Sequence, residues 1–175
     1  MRHTLSAALF ALLVPAAAVA QTAERSPAVP HDQVLSTNPL GVVVKWFNVE
    51  YERKLNPELT FGGSASHFGD LDQSNAAVLL RWYPAESALE GFYLGARAGV
   101  YRFEAYSYDL RSLRRQTSVM PGAGVEIGFN WLLGPRQNII AGTGLGLTRL
   151  SGSSDVYSTA PTVLPGVRLN VGIAF

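Results

Sequence analysis

The sequence predicts an all-β fold, an eight-stranded antiparallel up-and-down transmembrane β-barrel. Three observations lead there. Apolar residues recur at every second position along most of the chain, glycines gather on the opposite face, and polar turns cut the chain into short segments. Several segments approach the ten-residue length that a tilted strand needs to cross hydrocarbon.

Composition narrows the function. The 175 residues suit one domain. Cysteine is absent, which excludes disulfides and thiolate chemistry. Charged residues are only 15%, and 14 Lys+Arg stand against 13 Asp+Glu, so no nucleic-acid partner is expected. No residue pattern calls for a cofactor or a metal.

The N-terminus reads as a leader. Arg2 and His3 form a basic n-region, Leu5 to Val14 an apolar core, and Ala18-Val19-Ala20 a small-x-small cleavage site. The apolar run is too short for a membrane anchor. The expected organisation is a signal peptide over 1–20, a flexible segment over 21–33 and a barrel over 34–175.

Alternation is clearest over Val119 to Trp131. Val119, Ala123, Val125, Ile127, Phe129 and Trp131 share one face, with Met120, Gly122, Gly124, Glu126, Gly128 and Asn130 on the other. Phe92 to Tyr101, Ile139 to Thr148, Ala76 to Tyr83 and Val167 to Phe175 repeat the pattern. Glycine is a poor choice for a solvated strand face but suits a crowded lumen. The apolar face is therefore expected to look outward, towards lipid.

Turn signals lie at Asn56-Pro57, Gly69 to Ser74, Pro84 to Glu90, Ser107 to Arg115, Gly134 to Gln137 and Ser151 to Pro161. They leave seven segments. The first, Val34 to Leu55, is too long for one strand and is split near Val44 to Phe47, giving the even number usual for such barrels. Both ends then lie in the periplasm, with the longer loops at Gly69, Ser107 and Ser151 outside. Trp46, Trp82, Phe92 and Trp131 are expected as membrane-interface aromatics. Tyr101, Phe103 and Tyr106 fall near the outer rim.

The chain resembles the small eight-stranded outer-membrane β-barrel families. The last strand carries most of the likeness: Val167, Leu169, Val171, Ile173 and a terminal Phe175 look like the signal those families present to the barrel assembly machinery. The stretch from Asn38 to Phe68 also resembles the opening of a poorly characterised group of such barrels. The resemblance implies fold and an outer-membrane location, and no activity.

The inward set contains Glu50, Glu52, Arg81, Arg97, Glu126 and Arg168. Buried charges need partners, so these are expected to form an ion-paired plug rather than a polar path. Arg111, Arg114 and Arg115 would project from an outer loop, where their forks suit lipopolysaccharide phosphates. A solvated loop is the plainer account. For catalysis, His67 is the sole strand histidine; it adjoins Ser66, with Asp70 and Asp72 close by. Alternation puts Ser66 and His67 on opposite faces, which blocks a base–nucleophile contact. Gly142 to Gly146 has glycines at period two and no following helix, so it reads as strand rather than a phosphate loop.

The expectation is a monomeric, non-enzymatic outer-membrane barrel with a structural or surface-interaction role, in contact with lipid and lipopolysaccharide. The alternatives are an outer-leaflet lipid-modifying enzyme of the lipid A deacylase kind and a soluble periplasmic ligand-binding barrel.

Overall fold

The computed structural model describes residues 31–41, 43, 45–109, 112–151 and 163–175, with backbone alone at 71, 104–109 and 112–116. The expected leader, Arg111 and most of the loop from Ser151 to Pro161 lie outside the described residues.

Eight antiparallel strands close into a barrel in chain order. They are β1 (Gln33–Thr37), β2 (Trp46–Lys54), β3 (Leu59–Phe68), β4 (Gln73–Trp82), β5 (Gly91–Asp109), β6 (Ser112–Leu133), β7 (Ile139–Leu150) and β8 (Val163–Ala174). Closure comes from β1 on β8, with Val34 opposite Ala174 and Thr37 opposite Val171. Gln33 and Phe175 exchange backbone hydrogen bonds of 2.9 Å each way, so Phe175 seals the seam.

The long first segment does divide, between Thr37 and Trp46. Pro39 has no N–H to offer a ladder. The Asn38 carboxamide accepts from Leu40 N at 2.9 Å, turning the chain out of the strand. The first strand is thus five residues, ending well before Val43.

Two expectations about turns change. Ser107 to Arg115 is mostly paired strand: Ser107 faces Arg114, Tyr108 faces Leu113 and Asp109 faces Ser112. β4 pairs with β5 only as far as Arg102, and β7 meets β6 only from Gly122. Beyond those points β5 and β6 pair as a two-stranded ribbon. Polar side chains say which solvent a segment meets; they do not prevent its backbone from pairing.

Pro84 to Glu90 is more than a turn. Leu89 is fully buried at φ 79°, an unfavourable conformation for a residue with a Cβ. It packs with Val34, Ile140 and Ala174, and Tyr83, Ala88 and Tyr93 cluster beside it. This segment folds back to cap one end of the lumen. The start of β1, Phe175 and the turns at Asn56 and Gly134 lie at that same end; the opposite end is the mouth.

Alternation separates two chemistries across the wall. Val125, Leu145 and Val167 point out and are 63%, 61% and 61% exposed, while Arg81 and Glu52 point in at 1% each.

Replacing Leu89 by Ala should lower the unfolding free energy by about 2–5 kcal/mol, the range for truncating a buried leucine to alanine. Denaturant unfolding followed by tryptophan emission will check it.

Candidate functional site

The lumen is the candidate site, and one guanidinium organises it. Arg81, on β4, donates Nη1 to Glu50 Oε1 at 2.8 Å and to Glu52 Oε2 at 2.5 Å, and Nε to Glu126 Oε1 at 2.6 Å. Its remaining nitrogen, Nη2, has no hydrogen-bond partner among the described residues. The guanidinium carbon lies 4.7 Å from the centre of the Tyr93 ring, whose π-face attracts it.

Arg168, on β8, donates Nε and Nη2 to the same Glu50 oxygen at 3.0 and 2.7 Å. Its Nη1 reaches Asn130 Oδ1 at 2.7 Å. Arg97, on β5, is held more loosely, 3.9 Å from Glu126 Oε2. Three arginines therefore meet three carboxylates, and the formal charges cancel. That balance is what a low-dielectric interior requires of buried ions.

Neutral groups complete the network. Glu52 Oε1 accepts from Thr60 Oγ1 at 2.5 Å and from the Tyr83 hydroxyl at 2.7 Å. Asn130 Nδ2 donates to Tyr83 at 2.9 Å, and Asn170 Nδ2 donates to Ser36 at 3.2 Å. Thr60, Tyr83, Tyr93, Asn130 and Asn170 were not singled out from the sequence. Their signal was parity: Tyr83 shares a face with Arg81, Asn130 with Glu126 and Asn170 with Arg168.

Lumen glycines leave room for this cluster. A Cβ on Gly95 would come within 2.7 Å of Glu126 Cγ, and one on Gly144 within 2.8 Å of the Tyr93 hydroxyl. A Cβ on Gly142 would collide with Arg168 and Asn130.

The other expected residues sort by face. Trp82 and Phe92 point outward at the capped end, and Trp131 stacks on Phe129 there, centroids 4.8 Å apart. Trp82 Nε1 also donates to Glu58 at 3.2 Å. Trp46 is a correction. It shares parity with Glu50 and Glu52, lines the lumen at the mouth, and pairs with Phe68 at 6.0 Å. Its aromatic character suggested an interface, whereas the alternation already placed it inside. Arg114 and Arg115 lie on β6 rather than on a loop. Val167, Leu169, Val171, Ile173 and Phe175 line the outward face of the closing strand.

Ser66 and His67 do fall on opposite faces. Ser66 Oγ accepts from Asn75 at 2.7 Å, while His67 Nδ1 sits 3.0 Å from Ser74 Oγ across the ladder. Asp70 binds Lys45 Nζ at 2.7 Å, and that carboxylate raises the lysine's pKa.

A family model described as "Protein of unknown function (DUF3575)" matches residues 8–162. No curated protein matches the chain. Among solved structures, the N-terminal β-barrel domain of Pseudomonas aeruginosa OprF is similar, with a TM-score of 0.48 and 13% identity over 82% of this chain and 94% of that one.

Arg81→Met should destabilise the barrel by about 3–5 kcal/mol, because it strands buried carboxylates. Adding Glu52→Gln should recover part of that loss. Equal unfolding midpoints for the wild type and the single variant would contradict the ionic account.

Proposed function

We propose that this chain, which belongs to the DUF3575 family, is a non-enzymatic integral outer-membrane β-barrel protein with a structural or surface-interaction role. One observation carries the proposal: the outer wall is an apolar belt. Phe92, Leu94, Ala96, Ala98 and Val100 face outward in succession on β5, as do Ala123, Val125, Ile127 and Phe129 on β6. Outward charges among the described strand residues stand at the belt's margins, Arg53 towards the capped end and Arg102 and Arg149 towards the mouth. From Phe92 to Val100 the belt rises about 20–25 Å for ordinary strand tilts, close to the apolar band of such barrels. A belt that encircles a monomer far exceeds the apolar patches water tolerates.

On this proposal residues 1–20 are a cleaved export signal, and the alternating final strand ending in Phe175 is read by the barrel assembly machinery. The capped end faces the periplasm, and the β5–β6 ribbon rises outside as a monomer's surface feature. Arg111, Arg114 and Arg115 near its tip would meet lipopolysaccharide phosphates. Losing all three without a change in lipopolysaccharide binding would overturn that contact.

A second proposal, an outer-leaflet lipid-modifying enzyme, draws on the His67–Ser74 pair. It lies on the outward face near the mouth, 3.0 Å apart. Comparing lipid A from cells carrying wild type or Ser74→Ala separates the two: an acyl pattern that changes only with an intact pair favours the enzyme.

The full chain expressed in a Gram-negative host should fractionate with the outer membrane and show heat-modifiable gel mobility; recovery in the soluble periplasmic fraction would overturn the proposal. Val125→Arg should cost about 2–4 kcal/mol in bilayer-supported unfolding, the penalty for a charge at mid-depth of a lipid face.

A further inference from the structure

Above the ionic layer the described residues leave a cavity in the lumen. A cavity of about 320 Å³ extends from Arg97 and Arg168 up to the mouth, large enough for a small ligand. Its floor holds an arginine whose donors are underused. Arg97 Nη2 is 3.4 Å from Ser64 Oγ, its Nη1 is 3.9 Å from Glu126, and its Nε has no partner among the described residues. A charge-assisted bond to a carboxylate usually spans about 2.7–2.9 Å. Arg168 differs, since all its nitrogens are engaged.

Two carboxylates also line the cavity. Glu50 and Glu126 are each bonded to Arg81, at 2.8 and 2.6 Å, so neither is free to take a cation. Further up β5, on the face of Arg97, Tyr101 is 6% exposed and its hydroxyl has no partner among the described residues. Neutral polar walls follow: Asn48, Ser66, Asn75 and Thr148. Aromatic rings finish the mouth, where Trp46 and Phe68 pair at 6.0 Å beside Phe103.

The cup thus runs from a cation with spare donors, past neutral polar walls, to aromatic rings, with Arg102 also lining it near the mouth. We propose that it is a binding site for a small organic carboxylate with an apolar body. The acid group sits on Arg97, which offers the paired donors that suit a carboxylate, and the body rests against Trp46 and Phe68. Tyr101 supplies a hydroxyl beside the bound acid. The site lies within the barrel wall, so it stands apart from the membrane location proposed above.

Isothermal titration of the folded full chain in mild detergent tests this, with 2-naphthoate as the probe. Heat-modifiable mobility verifies that each variant is folded. The wild type should give saturable single-site heat. Arg97→Gln should weaken binding about tenfold or more, Arg97→Lys less, and Trp46→Leu about threefold to tenfold. The neutral 2-naphthalenemethanol should bind about tenfold or more weakly than the acid. Absence of saturable heat, equal binding of acid and alcohol, or unchanged affinity in Arg97→Gln would overturn the proposal. Inorganic phosphate binding as tightly as 2-naphthoate would overturn the apolar-body requirement. Should Arg97→Gln fail to fold, the acid-against-alcohol comparison and Arg97→Lys still decide.

Discussion

Three carboxylates bound to the single guanidinium of Arg81 are the constraint on which the barrel's interior depends. Glu50 and Glu52 come from β2, Glu126 from β6 and Arg81 from β4, so the bonds tie walls distant along the chain. An arginine and three carboxylates would be ruinous to bury singly, and their mutual pairing is what makes a charged lumen tenable. Arg168 extends the tie to β8 through the same Glu50 oxygen that Arg81 uses. The glycines follow from this arrangement. Side chains this large converge only where opposing positions such as Gly95, Gly142 and Gly144 carry none.

Filling the lumen with ions determines what remains for the outside. Because side chains alternate strictly along a strand, polar residues inside leave the apolar set on the wall. In a soluble barrel the greasy face would form the core; here the tight interior is held by hydrogen bonds and ion pairs. The apolar cluster of Val34, Leu89, Ile140 and Ala174 is small and confined to one end. It works as a stopper. The two ends consequently differ: Leu89 and Tyr83 close one, while at the other the described residues shape an aromatic-rimmed cup over Arg97.

Much of this was legible in the residues, because period two is a strong signal and one slip would invert every side chain. The eight strands, the inward charges and the space-making glycines follow from parity and turn chemistry, while the split of the first segment near Val44 to Phe47 follows from its length and the even strand number, and β1 in fact ends earlier, at Thr37. What escaped has physical reasons. The residue type of Trp46 suggests an interface, whereas its parity with Glu50 points inward. The ribbon beyond Arg102 looked like a loop because its side chains are polar, yet its backbone is paired. Leu89 sits among turn-like residues, and only the folded chain shows that segment turning back under the barrel. Tyr83, Tyr93 and Asn130 shared the lumen face in plain view, but alternation cannot say which neighbours will bond.

The central claim is that the wall faces a non-aqueous medium while the ions lie inside the barrel, and spin-label accessibility tests the first part most directly. The native sequence lacks cysteine, so single cysteines at Val78, Val125, Leu145 and Val167 can each be labelled without background. In a lipid bilayer all four labels should relax strongly with molecular oxygen and weakly with a water-soluble nickel chelate. Strong relaxation by the nickel chelate at all four positions would mean the wall is wet, and the account would fail.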